Sequence, residues 1–229
     1  MNNEPNIQHS PGDELRVRIV IAARDRFGQF GFAKTSMQEI ARACDMSAAN
    51  LYRYYEGKQA IGSAVAYRDQ TELLNFCDEA IRGARPEMAE QLIALFQTNI
   101  DATRRKMKRA PLLVELAMII AREEPDLRRQ FLREIEHRVV LILAQEHDPS
   151  NAFESAAIKL RSRMILMACA PFVLPWMLQN EPFGNPRTMV EPLVRALILG
   201  MIEDDGEVVV TKASVPIKKS ALSRSHRGV

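Results

Sequence analysis

Residues Thr35 to Lys58 read TSMQEIARACDMSAANLYRYYEGK, two short helical patterns parted by a tight break and followed by the cluster Tyr52-Arg53-Tyr54-Tyr55. Ser36 and Glu39 stand in the Ser-x-x-Glu spacing of a capping box, whose side chains satisfy amides that a first helical turn leaves unpaired. Met37, Ile40 and Ala41 follow at i, i+3 and i+4, the period of one buried helix face, and Ala43 and Cys44 are small enough for a second helix to approach. At the break, Asp45 falls where the turn asks for a positive φ, a region that Asp tolerates better than most residues. Ser47 then caps a second helix from Ala48 to Tyr54, with Met46 and Leu51 turned inward and Ala48, Ala49, Asn50, Arg53 and Tyr54 outward. The pattern is a helix-turn-helix. Small and polar residues at the start of its second helix are what a recognition helix needs to reach base edges in a major groove.

Outward from this stretch the chain continues as helices. Upstream, a polar arm over 1–10 leads to Ser10-Pro11-Gly12-Asp13, an N-cap, a first-position proline and a first-turn acid. Leu15, Ile19, Ala23 and Phe27 then step by four to a stop at Gly31. Downstream, a long helix from Lys58 to about Arg82 links the helix-turn-helix to the rest. Pro86, Pro111, Pro125 and Pro186 each stand where a helix can start, giving helices near 87–107, 111–122, 125–147, 152–179 and 186–202. The last carries Val190, Leu193, Val194, Leu197, Ile198 and Met201 on one stripe, which needs a large partner surface inside this chain or on a second copy.

Composition narrows the function classes. The 229 residues are 47% hydrophobic and 26% charged, ordinary for a globular protein with a sizeable core. Net charge is +2, and residues 1–68 hold nine Lys/Arg against seven Asp/Glu, so affinity for nucleic acid has to come from local placement. Cys44, Cys77 and Cys169 are scattered, with no C-x-x-C pair, and read as buried thiols of a reducing compartment. The polar N-terminus carries no signal-peptide pattern, so the cytoplasm is the expected location. The apolar run Met164 to Leu178 contains two prolines and falls short of the roughly 20 residues a membrane span needs. It reads as a kinked buried helix, and no membrane association is expected. Residues 203–229 form an acidic turn and then a stretch with five Lys/Arg and no acid, the composition of a solvated, disordered tail. No Gly-rich phosphate loop, H-E-x-x-H or Ser/His/Asp set is present, which argues against catalysis. His137 and His147 lack a second ligand at metal spacing, and no metal or cofactor is expected.

The run Ile21 to Lys58 resembles the DNA-binding domain of the TetR family of bacterial transcription regulators. The matching residues are Ile21-Ala22-Ala23, Phe27, Gly31, Thr35, Ile40-Ala41, Ser47, Leu51-Tyr52, Tyr54-Tyr55 and Lys58. The chain departs from the family pattern at Asp45, where glycine is usual, at Tyr54-Tyr55, where His-Phe or Tyr-Phe is common, and at Gly57, often serine. The resemblance implies an all-α protein. A three-helix head at 1–57 would be joined by the long helix to a helical regulatory and dimerisation body at 58–202, with the basic tail at 203–229.

On that reading Thr35 and Ser36 offer amides and hydroxyls to a phosphate, and Gln38 reaches a base edge or the backbone. Ser47 caps the recognition helix. Ala48 and Ala49 allow close approach and can touch a thymine methyl, and Asn50 pairs with adenine or a phosphate. Tyr52 and Tyr54 carry hydroxyls suited to phosphates, although each tyrosine taken alone equally suits packing. Arg53 reads guanine or grips the backbone, and Lys58 at a helix start makes a phosphate clamp. The family further implies a homodimer through the helices near 152–179 and 186–202, a double-stranded palindromic operator, and a small-molecule effector that releases a repressor from DNA. A cavity for that effector is expected among Met118, Phe131, Met164, Met167, Phe172 and Trp176. A helical protein-interaction adaptor, or an activator using the same head, is the alternative.

Overall fold

The computed structural model describes residues 11–146, 156–178 and 185–202, and these are all-helical apart from turns. The arm at 1–10, the tail at 203–229, His147 and the two ends of the helix expected at 152–179 lie outside the described residues. Helix α1 spans Pro11–Phe30 and buries Ile19, Ala23 and Phe27 completely, three of the four residues of the stripe anticipated from the sequence, with Leu15 half-buried. It stops at Gly31, whose φ of +85° is a left-handed cap that a side chain would strain, and whose amide donates to the Phe27 carbonyl at 2.9 Å.

Helix α2 covers Met37–Ala43 and α3 covers Ala48–Leu51. Between them Asp45 takes φ +56°, the turn geometry expected at that position. The recognition helix is shorter than the expected Ala48–Tyr54. Past Leu51 the bonds tighten to Arg53 N–Asn50 O and Tyr54 N–Leu51 O, an i to i+3 pattern that ends the helix as a turn.

Helix α4, Lys58–Gly83, has 26 residues and is about 39 Å long. It is followed by α5 (Met88–Arg109), α6 (Pro111–Glu123) and α7 (Pro125–Leu143) with a short 3₁₀ turn to Glu146. Pro111 and Pro125 sit at helix starts, where a missing N–H costs nothing. Helix α8 spans Ala156–Val173, and after a break at Leu174 a single turn, α9, covers Pro175–Leu178. Pro175 cannot donate to the helical ladder, so the anticipated kink is a full break. Helix α10 is Pro186–Ile202.

Two hydrophobic clusters share α4. One joins α1, α2, Leu51 and the α4 residues Ile61, Val65 and Ala66 to Leu113, Leu116 and Ile120 of α6. The other joins Leu74 and Cys77 of α4 to α5, α7, α8 and α10. A rigid helix that supplies both cores ties the two ends of the molecule, and α6 wedges its apolar face into the helix-turn-helix end. The stripe on α10 resolves inward, since Val190, Val194 and Ile198 are buried within the chain where α10 packs on α5 and α8.

Burial pushes the Cys77 and Cys169 thiols up to about 12 and raises that of Cys44 as well. At pH 8 a thiol of pKa near 12 is about one part in ten thousand thiolate. A disulfide reagent added to native protein is therefore expected to label Cys77 and Cys169 only as fast as the body opens, and within minutes in denaturant. Rapid labelling of either in the native state would contradict this packing.

Candidate nucleic-acid interface and ligand cavity

The exposed side of the helix-turn-helix is built by its caps. The Ser36 hydroxyl accepts from the Glu39 amide at 3.3 Å and donates to the Glu39 carboxylate at 2.8 Å, and the Ser36 amide donates to that carboxylate at 2.7 Å. Ser47 caps α3 by accepting from the Asn50 amide at 3.1 Å. Around these caps Ser36, Gln38, Ser47, Ala49, Tyr52 and Arg53 are exposed, together with Lys34 and Arg42. Asn50 is half-buried. Ala48 and Tyr54, expected to face outward, are half-buried against the head core.

Three expected phosphate ligands are placed otherwise. Thr35 is 2% exposed and its hydroxyl donates inward to the Gly31 carbonyl at 2.8 Å, so it is not available as a surface hydroxyl. Lys58 folds its ammonium back over the Phe32 ring, 4.7 Å from the centroid, and donates to the carbonyls of Phe32 at 2.8 Å and Ala33 at 3.3 Å. It pins the loop after α1 in place of projecting a charge. The Ser36 hydroxyl and amide are held by Glu39, so a phosphate there would have to displace the capping box. Sequence reasoning did not find Arg16. Its guanidinium donates to the Tyr54 carbonyl at 2.6 Å and lies 5.9 and 5.4 Å from the Tyr54 and Tyr55 rings, fixing the turn after α3 to α1. The 38-residue separation leaves no local signal for that contact.

Hydrogen bonding from the Ser36 amide, then from its hydroxyl, holds the Glu39 carboxyl below the usual carboxylate range. A depressed acid contributes stability above its unfolded value and loses it as pH falls through its folded value. Protection of the α2 amides, relative to their intrinsic exchange rate, is therefore expected to fall below about pH 4. Ser36→Ala should remove this pH dependence and cost about 1 kcal/mol. Protection factors in α2, corrected for the intrinsic pH dependence of exchange, that stay flat from about pH 6 to about pH 3 would count against the box.

In the body, a cavity of ≈ 400 Å³ opens between α1, α4, α5, α6, α7 and the Leu174-Pro175 break. Met118 and Phe131, two of the residues expected around an effector, line it together with Leu73, Phe76 and Val114. Phe172 does not; it is buried in the body core. Met164 and Met167 are 49% and 79% exposed on the outer face of α8, because Ile158, Ile165 and Cys169 take the inner face. Nothing is described of the Trp176 side chain. The charged part of the wall was not anticipated. Asp69, with its side chain 7% exposed, accepts from Arg24 Nε at 2.7 Å and from Lys106 Nζ at 2.6 Å. Arg24 belongs to α1 and Lys106 to α5, so one carboxylate on α4 bridges the two ends of the molecule. Burial works against the Arg24 charge, and Asp69 more than offsets it, so its pKa stands above the ordinary value. Lower on α4, Glu124 accepts from Ser63 and, at 3.5 Å, from Gln59. Among the described residues no group of His, Cys, Asp or Glu is placed to hold a metal, and no helix is long and apolar enough to cross a membrane.

These features define a class of protein: a three-helix helix-turn-helix head seated on a helical body that carries a cavity. A family model described as bacterial regulatory proteins, tetR family, matches residues 19–65, and one described as a tetracyclin repressor-like C-terminal domain matches residues 89–194. The chain belongs to the TetR family. It is 34% identical over 82 residues to the HTH-type transcriptional regulator UidR of Escherichia coli (strain K12), which spans 35% of this chain and 42% of UidR. The match thus takes in less than half of that relative. Among solved structures, Thermus thermophilus FadR, a TetR-family repressor in complex with lauroyl-CoA, superposes with a TM-score of 0.56 at 22% identity, covering 81% of this chain and 94% of that one. A tetR-family regulator from Streptomyces coelicolor gives 0.55 at 17% identity, with 83% of each chain covered. At these identities the likeness is one of fold.

Proposed function

We propose that the chain is a transcriptional regulator that binds a palindromic operator as a homodimer and is released from it by a small, largely apolar effector. The head at 1–57 reads DNA, and the body at 58–202 binds the effector and the second copy. The observation that carries this reading is the exposed row Gln38, Ser47, Ala49, Tyr52 and Arg53 on a helix-turn-helix whose own core is closed. Ala49 lets α3 sit deep in the major groove, Gln38 and Arg53 supply donors, and Asn50 turns toward the groove edge. The α4 amides at Lys58, which a first turn leaves without intrahelical partners, remain suited to a phosphate even though the ammonium is used elsewhere.

The second copy has a surface to dock on. Leu160, Met164 and Met167 form an exposed apolar row along α8, and Leu199 adds to it from α10, where the two helices pack side by side. A patch of that kind suits a twofold interface. Two heads spaced about 34 Å apart, one DNA turn, would then meet successive half-sites. An effector in the cavity touches α1, α4, α5 and α6 together, so a preference for one arrangement of them shifts head spacing by its differential binding energy.

The testing experiment is binding to the DNA flanking the gene at fixed salt, wild type beside Arg53→Ala. A specific complex that the variant weakens by about tenfold or more supports the reading. Binding that is equal on scrambled DNA and erased by salt for both proteins would overturn it.

A further inference from the structure

The cavity contains two kinds of wall. One is apolar, from Leu73 and Phe76 on α4, Val114 and Met118 on α6, and Phe131 on α7. The other is charged, with Arg24, Arg105, Lys106, Arg109 and Arg128 against Asp69 and Glu72. Asp69 is committed to Arg24 and Lys106, and Glu72 is exposed to solvent. Arg105, Arg109 and Arg128 therefore reach the cavity with no carboxylate partner among the described residues.

Cations at Arg105, Lys106 and Arg109 have an ordinary explanation, since they lie at the C-terminal end of α5, where the helix dipole favours positive charge. Arg128 does not share it. It stands in the first turn and a half of α7, at the end where the dipole disfavours a cation, and it is half-buried. A half-buried guanidinium without a counter-charge is costly unless something supplies one. Its neighbour Arg129 takes Asp126, the first-turn acid on that helix. Arg105 also borders an adjoining cavity of ≈ 350 Å³ formed with Asp101, Arg104, Lys108 and Arg187, so the cationic lining continues along α5.

We infer that the cavity binds an anionic amphiphile, with an apolar chain against Leu73, Phe76, Met118 and Phe131 and an anionic head held by Arg128, Arg105 and Arg109. This rests on the reading of the cavity as a ligand site. A neutral apolar ligand would leave Arg128 uncompensated, and a cationic one would meet an excess of like charge. A carboxylate and a phosphate share the required chemistry.

The test is calorimetric titration of the full chain, without DNA and below micellar concentrations, with dodecanoate, dodecyl phosphate, dodecanol and dodecyltrimethylammonium. The two anions are expected to bind about tenfold or more tightly than dodecanol, and the ammonium not at all. Whichever anion binds better identifies the head group. Arg128→Gln should weaken the anions about tenfold and leave dodecanol unchanged. Arg105→Gln, at an exposed position where folding is not at stake, should weaken them less. Equal affinity for dodecanoate and dodecanol overturns the proposal, as does an unaltered anion affinity in an Arg128→Gln protein of normal melting temperature. Binding of the anion without any effect on operator affinity would leave this inference standing and sink the effector reading.

Discussion

Asp69→Asn is expected to yield a protein that binds an anionic ligand more tightly and answers to it less. Asparagine keeps the shape of the side chain and removes its charge, so Lys106 and Arg24 lose the carboxylate that now holds them at 2.6 and 2.7 Å. Both cations then add to the attraction felt by an anion in the cavity, which strengthens binding. The same substitution cuts the link between α1 and α5 through α4, by which a shift in the cavity wall reaches the head. The effector-induced loss of operator affinity should fall by about tenfold or more, a coupling term of ordinary size. Stability should drop by about 2 kcal/mol, between the small value of an exposed pair and that of a fully buried one, because the two cations are about a third exposed. Arg24→Gln and Lys106→Gln separate the halves of the bridge. If the bridge transmits, each alone should uncouple nearly as well as Asp69→Asn, and the double variant should add little. A full effector response in Asp69→Asn would reduce the bridge to a structural contact.

The features that were legible in the sequence are those whose causes lie within a few residues. Ser36 with Glu39, Asp45, Gly31, Pro111 and Pro125 each fix a local geometry that a short window contains, and the structure places all of them as expected. The inward bonds of Lys58 and Thr35 were not legible, because their partners are carbonyls of the 31–33 loop, whose path depends on how α1 meets α4. Met164 and Met167 failed for a different reason. Helix α8 has two apolar faces, Ile158-Ile165-Cys169 and Leu160-Met164-Met167, and spacing alone does not say which one meets the body. Asp69 gave no signal at all, since its partners are 45 and 37 residues away. The basic residues between Arg104 and Arg109 are close in sequence, but only the tertiary structure brings them together with Arg128.

Gly62→Val is expected to lower operator affinity about tenfold or more while leaving the chain folded. Gly62 is buried in α4 where the helix passes between the head loop and α6. A Cβ there would stand 3.0 Å from the Phe32 ring, 3.3 Å from Ile120 Cδ1 and 3.4 Å from Leu116 Cδ1. Two further methyl groups cannot be taken up without moving one of these neighbours, at a cost of about 1–3 kcal/mol. Part of that is offset, because glycine within a helix is disfavoured by about 1 kcal/mol relative to alanine. A net loss of about 1–2 kcal/mol corresponds to a melting temperature lower by about 4 °C for a chain of this size. The functional effect should exceed the thermal one. Phe32 stacks edge-on against Phe27 at 5.3 Å and carries the Lys58 ammonium on its face, so displacing it loosens the loop that seats α2. Displacing Ile120 and Leu116 instead pushes α6 away and tilts the head on the body. Either route misplaces α3 relative to the second copy, and a dimer that must meet two half-sites tolerates little error in spacing. Gly62→Ala is the discriminating control, since its single methyl needs shifts of only a few tenths of an ångström and gains helix propensity. It should melt near the wild-type temperature and retain most of its DNA affinity. Wild-type operator binding by Gly62→Val would mean that the contact between α4, Phe32 and α6 does not set the head angle.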